Sequence, residues 1–220
     1  MSFTFTNRTG GVSLGDFASR NFGDHVGDDP AHVAANRQSL TSEFGPVQFM
    51  NQIHGDRIAI IEEVTDQIPE ADALITGIPG IALAVMVADC IPLLLTSKEV
   101  VAAVHVGRRG LVNEIARKTI KTMEEMGAGA ITAHIGPAIC GNCYEVSEDL
   151  YVEVTTTHPA TSSRTPAGTH ALDIVAGIRK TLTDEGVDIK DHFECTVENS
   201  DLFSYRRDGS TGRQIGLVWL

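Results

Sequence analysis

Three short segments run apolar and then stop in a side chain that can bind a metal or attack an electrophile: NQIHG with His54, VADCIP with Cys90 and AVHVG with His105. Two imidazoles and one thiolate suit a tetrahedral zinc with three protein ligands and one open position. A thiolate on Cys90 with His105 as its base is a second, metal-free chemistry open to the same residues. Read singly, a strand-end cysteine is a small core residue and a histidine a hydrogen-bonded one, so everything turns on whether the three ends converge. Asp89 precedes Cys90. If the chain is already turning there, Asp89 shares the cleft and either orients a ligand histidine or accepts a proton from substrate; otherwise it only shapes the turn.

Arginines concentrate in segments rich in Gly or Ser: Arg8 in TNRTGGVSLG, Arg108 and Arg109 in GRRG, and Arg206, Arg207 and Arg213 in FSYRRDGSTGRQ. A guanidinium fork beside such backbone suits phosphate or carboxylate, and surface ion pairing is the alternative use. Arg8, Arg206 and Arg207 lie in terminal segments able to fold over the strand ends, which makes them the candidates for an anionic co-substrate. The glycines of TNRTGGVSLG match neither common nucleotide loop. Cys140 and Cys143 form a CxxC, read as a turn; no second CxxC exists to complete a structural zinc site, and the flanks do not resemble a thioredoxin-type redox motif.

The elements that must position these groups follow from periodicity and end signals. Asp28-Asp29-Pro30 starts a helix marked by Val33, Arg37, Leu40 and Phe44. A second helix is predicted over residues 111–126 with a stop at Gly127, a third from Ser147, and a fourth over residues 174–184 before Gly186. Strand signals are VQFMNQIH, RIAIIEEV, ADALIT, IALAVMVADC, IPLLLTS, VVAAVHVG, AITAHIG, FECTV and IGLVWL. Several are apolar at both alternating positions and so covered on both faces, while RIAIIEEV and FECTV look half exposed. The order is not a regular strand and helix alternation, so an α+β fold is expected rather than a doubly wound one. Residues 155–170, rich in Thr, Ser, Pro and Gly, read as a mobile surface loop.

The 220 residues carry 42% hydrophobic and 21% charged side chains, the balance of a folded globular protein with no linker, so one domain over residues 1–220 is expected. A net charge of −12 leaves no broad cationic surface for nucleic acid. The longest apolar stretch, residues 81–88, is strand length, and the N-terminus lacks a secretion signal, so a cytoplasmic protein without membrane contact is expected. Four cysteines at this length read as thiols rather than a disulfide scaffold.

Taken in order, TNRTGGVS, NFGDHVGDDP, NQIHG, ADALIT, ADCIPLLL, AVHVGRRG, IGPAICGNCYEV, CT and FSYRRDGSTGRQ resemble the YfiH-like family from residue 8 to residue 220. Its members have been called laccase-domain proteins, multicopper polyphenol oxidases and purine nucleoside phosphorylases. The resemblance implies two packed mixed β-sheets flanked by helices, an α/β/β/α sandwich similar to the catalytic domain of cytotoxic necrotizing factor. It implies a metal site on the positions His54, Cys90 and His105, with zinc as the ion and copper as the alternative. It also implies phosphorolysis of purine nucleosides, methylthioadenosine included, and deamination of adenosine, with nucleoside and phosphate as the partners. The family usually has Trp at the position of Arg108, so substrate preference is open. Two other readings stand beside the purine enzyme. One is a copper polyphenol oxidase, for which the HxH or HCH runs of true laccases are missing. The other is a regulatory or peptidoglycan-editing factor whose metal is structural.

Overall fold

Four strands in the middle of the chain are built almost wholly from Ala, Val, Ile, Leu and Met, and residues of this kind at both alternating positions need cover on two sides. The computed structural model describes residues 2–65 and 67–220 and supplies that cover with three apolar layers. In chain order the strands are β1 (Ser2–Phe5), β2 (Val47–Gln48), β3 (Ile58–Ile60), β4 (Ala73–Thr76), β5 (Ala82–Val87), β6 (Ile91–Thr96), β7 (Val101–Val106), β8 (Thr132–Ile135), β9 (Ser162–Arg164), β10 (His170–Leu172), β11 (Asp188–Asp191) and β12 (Gln214–Trp219). The helices are α1 (Pro30–Phe44), α2 (Arg108–Val112), α3 (Ile115–Glu125), α4 (Glu148–Thr157), α5 (Ile174–Asp184) and α6 (Tyr205–Asp208).

The larger sheet has the order β11-β8-β6-β7-β4-β3 and the smaller β1-β12-β5-β2, each mixing parallel and antiparallel pairs. Alternation sorts each strand. Leu83, Val85 and Val87 of β5 face Leu74, Leu94, Val101 and Ala103 of the larger sheet, whereas Ala82, Ala84 and Met86 face Phe22 and Leu40 of the α1 side. The opposite face of the larger sheet packs Leu93, Leu95, Val104 and Val106 beneath Leu111, Ile115, Met123 and Ile178. Each large aliphatic side chain buried this way contributes about 1.5 to 3 kcal/mol. The result is the expected α/β/β/α sandwich of two mixed sheets.

Helix ends follow the local signals. Asp29 accepts from Ala31 N at 2.8 Å with Pro30 in the first turn, Ser147 accepts from Leu150 N, and Asp173 accepts from Ala176 N at 2.8 Å. Four expectations need correction. The helix expected over residues 111–126 is broken into α2 and α3 at Glu114, whose φ of 58° lies in the left-handed region. Leu111 and Ile115 still share a buried face across the break, which hides it from apolar spacing. Residues 155–170 are not a mobile loop: they finish α4 and form the antiparallel β9–β10 pair, with Thr161 fully buried and Tyr151 Oη 2.6 Å from Ser162 Oγ. FECTV contributes only an isolated bridge, Cys195 to Ala138, and VQFMNQIH forms the two-residue β2 and one further bridge, Asn51 to Glu70, rather than a continuous strand.

Candidate functional site

Antiparallel pairing places the start of β6 beside the end of β7, with Ile91 opposite Val106 and Pro92 opposite His105. Cys90, one residue before β6, and His105, next to last in β7, therefore meet at one end of the larger sheet. His105 lies on the same alternation as Val101 and Ala103, the face turned toward the smaller sheet, and is only 3% exposed. His54 arrives on the loop between β2 and β3, and its ring lies 4.7 Å from that of His105, nearly perpendicular to it. The three donor atoms all fall within 4.8 Å of one another. Gly107 closes the floor, since a Cβ there would sit 3.0 Å from Cys90 Sγ.

Asp72 organises this corner. Fully buried just before β4, it accepts the His105 ring nitrogen Nδ1 at 2.8 Å and the backbone N–H groups of His54 at 3.0 Å and Gly55 at 2.7 Å. One carboxylate thus orients both histidines, the backbone of one and the ring of the other, and leaves His105 Nε2 as the free ring nitrogen. The two backbone bonds also support the left-handed conformation of His54, whose φ is 57°. Burial opposes ionisation of Asp72, but the His105 ring and the two N–H groups outweigh it and hold its pKa below the usual carboxylate value. Burial likewise works against the Cys90 thiolate, and the charge and hydrogen bonds of His105 and His54 overcome it, bringing the thiol down to about 6. Burial disfavours the His105 cation, yet Cys90 and Asp72 raise it to about 9.

Asp89 lines the cleft and shapes the turn, as two of its expected readings had it, while its carboxylate is held by groups other than the histidines. Its φ of 103° turns the chain between β5 and β6. Its Oδ1 accepts from Thr196 Oγ1 at 2.6 Å and Ser204 Oγ at 2.7 Å, and its Oδ2 accepts from Arg206 N at 2.7 Å. The carboxylate therefore pins the FSYRR segment over the strand ends, and the orientation of His105 falls to Asp72.

The cluster opens into a cavity of about 430 Å³. Its walls include Met86, Ile139 and Tyr144, and its cations are Arg108, Arg206 and Arg213. Gln52, also on the wall, completes a rung beside β5: its side-chain amide accepts from Met86 N and donates to Met86 O, both at 2.8 Å. Arg206 lies 5.0 Å over the Tyr144 ring and donates to Glu145 O at 2.9 Å. Of the arginines assigned to an anion, only Arg206 lines this cavity. Arg207 donates to the carbonyls of Thr196, Val197, Asn199 and Leu202 and pairs with Asp208, so its fork is spent on the backbone. Arg8 donates to Ala18 O and covers the Phe203 ring.

Sequence reasoning passed over Asp72 and Tyr144. The signal for Asp72 was a carboxylate at the start of the apolar run ADALIT, where a fully buried acid needs partners. Tyr144 stood beside the CxxC, masked by it.

The donor set of one thiol and two imidazoles fits a borderline-soft ion such as zinc, and copper shares the same ligands. Fold and donors together define an α+β sandwich with a three-donor centre at the mouth of a cleft. The chain belongs to the family described as multi-copper polyphenol oxidoreductase laccase, which matches residues 2–220. It is 47% identical to a purine nucleoside phosphorylase of Corynebacterium glutamicum, over 98% of this chain and 93% of that protein. It is 44% identical to a purine nucleoside phosphorylase of Streptomyces griseus, over 99% and 94%. Among solved structures, protein NMB0706 of Neisseria meningitidis superposes with a TM-score of 0.91 at 37% identity, covering 99% of this chain and 93% of that one. YlmD of Geobacillus stearothermophilus does so at 0.87 and 31%, covering 98% and 90%. Among the described residues no helix is long and apolar enough to cross a membrane.

Proposed function

We propose that this protein is a purine nucleoside phosphorylase that also deaminates adenosine and cleaves methylthioadenosine, working as one domain in the cytoplasm with zinc on His54, Cys90 and His105. The observation that carries the reading is one His, Cys, His cluster at the mouth of a 430 Å³ cleft that also holds three arginines and an aromatic wall. A nucleoside and a phosphate together need that combination: apolar surface for the base, guanidinium groups for the anion and polar groups where the two meet.

In phosphorolysis a phosphate oxygen bonds to C1′ of the ribose, the bond from C1′ to the purine nitrogen breaks, and the base leaves with the electron pair and takes up a proton. Arg108, Arg206 and Arg213 would hold the phosphate, while Met86, Ile139 and Tyr144 would hold the base and exclude water from it. Deamination at the same site replaces the amino group of adenosine by water and releases ammonia. Asp72 keeps His105 in one tautomer and one orientation for both reactions. When bound, zinc supplies Lewis-acid polarisation at the cluster. The other cluster of candidate ligands among the described residues contains no histidine, so the ligand count favours a single ion in the cleft over a multicopper array.

The test is inosine with the purified protein, with and without phosphate. Hypoxanthine and ribose 1-phosphate are expected only with phosphate, and adenosine should yield ammonia without it. Hypoxanthine release that ignores phosphate overturns phosphorolysis, and dioxygen uptake with a phenol in place of either reaction favours the copper oxidase.

A further inference from the structure

Cys140 and Cys143 have the spacing of half a structural zinc site, and the fold brings two further candidate donors, Cys195 and Glu198, beside them. The Cys140-Gly141-Asn142-Cys143 turn is closed by Cys143 N and Tyr144 N, which both donate to Cys140 O at 3.1 Å. Cys195 reaches it because its segment runs parallel to Ala138, with Thr196 N donating to Ala138 O at 3.0 Å. Asn199 N then donates to Cys195 O at 2.9 Å, and that turn brings Glu198 over the two sulfurs. Glu198 Oε1 stands 3.7 Å from Cys143 Sγ and 3.9 Å from Cys140 Sγ, and all four donor atoms lie within 4.8 Å of one another.

We propose that Cys140, Cys143, Cys195 and Glu198 are a second metal centre, a closed four-ligand zinc site distinct from the cleft. Ligands about 2.3 Å from a tetrahedral zinc sit roughly 3.8 Å from each other, close to the separations found here. Three sulfurs and one carboxylate oxygen complete the coordination without leaving a position for substrate, the arrangement of a structural site. The turn is pressed into place: a Cβ on Gly141 would meet Ser163 Oγ at 2.7 Å and Asp173 Cβ at 2.8 Å. All four cysteines are free thiols, and a disulfide within this cluster would leave its third thiol unpaired. A zinc ion uses all three and the carboxylate as well.

The site ties the segment that carries the wall residue Tyr144 to a segment that braces the cleft from behind. Tyr144 follows Cys143 directly, and Arg206 donates to Glu145 O. On the other side, Thr196 donates to Asp89, and the carbonyls of Thr196, Val197 and Asn199 hold Arg207. The ion therefore clamps the loop beneath Tyr144 to the loop that carries the FSYRR segment.

The assignment rests on this geometry and stands apart from the reaction proposed for the cleft, so the test counts metal and not turnover. The full chain, purified reduced and without chelator, is expected to hold about two zinc ions. The double variant Cys140→Ser, Cys143→Ser is expected to hold about one, retained in the cleft, and Cys90→Ala about one, retained on the thiol cluster. Cobalt loaded into Cys90→Ala should show the sulfur-to-metal charge transfer of three thiolates, where the cleft can offer only one. Because a double serine variant can fail to fold, Glu198→Gln leaves the three sulfurs in place and should weaken zinc in competition with a chelator by at least about tenfold. Unchanged zinc in the double variant, a Cys140–Cys143 disulfide in the purified protein, or unchanged affinity in Glu198→Gln each overturns the four-ligand site.

Discussion

The cleft cluster and the thiol cluster are one residue apart, since Cys143 belongs to one and Tyr144 to the wall of the other, yet they are built by opposite means. The cleft takes two of its donors from the paired ends of β6 and β7 and the third from the loop before β3, mixes nitrogen with sulfur, and orients its histidines through a buried carboxylate. The thiol cluster takes its donors from turns and places its carboxylate among the ligands themselves. Charge follows the same division. In the cleft two imidazoles face one thiol and draw its pKa down to about 6. In the thiol cluster burial pushes Cys140 and Cys143 up; Cys195 adds to both, and Cys140 adds to Cys143, while Cys143 only partly offsets the rise at Cys140. A site whose thiol ionises on its own is ready for chemistry at neutral pH, whereas one whose thiols stay protonated needs a cation to ionise them.

The sharpest break in this contrast comes from Cys90→Ala. It should strip the cleft of its ion and lower both phosphorolysis and deamination by more than about 100-fold, above the usual cost of losing an outer partner. Elemental analysis showing the cleft ion still in place would end the assignment of Cys90 as a ligand. Asp72→Asn comes next: it keeps the shape but removes the charge that orients His105, and should cost about 10- to 100-fold in metal affinity or activity. If Asp89→Asn does this and Asp72→Asn does not, the division of labour between the two carboxylates is reversed.

The electrostatic half of the contrast is tested on chelator-stripped protein by alkylation with iodoacetamide. Cys90 should become reactive as pH rises through about 6, while Cys143 stays unreactive well beyond the ordinary thiol value of 9.0. The signs for stability follow. Cys90 has a lowered pKa, so its stabilising ionisation is present above 9.0 and is lost as pH falls through about 6. His105 has a raised one, so its contribution is complete below 6.5 and is lost as pH rises through about 9. Equal alkylation profiles for the two thiols would erase the distinction.

The smallest effect separates the neighbouring arginines. Arg206→Ala should raise the KM for phosphate about tenfold, the worth of one charge-assisted hydrogen bond, with little change in melting temperature. Arg207→Ala should lower the melting temperature and leave the phosphate dependence alone, because four carbonyls lose their donor. A changed phosphate dependence in Arg207→Lys with unchanged stability would put that guanidinium in the cleft after all.

Amino-acid order alone determined what local physics controls. Asp29-Pro30 and Ser147 start helices because they satisfy free N–H groups in the first turn, and doubly apolar runs such as LAVMV and PLLLT admit only a covered strand. His54, Cys90 and His105 were legible as donors because each ends an apolar run, and the missing HxH run already weighed against a multicopper site. The tertiary structure decided everything that depends on distance. Pairing between β6 and β7 brings Cys90 to His105, burial makes Asp72 rather than Asp89 the partner of the histidine, and the carbonyls of the segment after Cys195 capture Arg207. The same holds for the thiols: Cys140 and Cys143 announce themselves by spacing, but Cys195 and Glu198 join them only because a loop some 50 residues later runs beside Ala138. Local signals report what a residue can donate, and only packing decides which groups it meets and which lone pairs are left for a ligand.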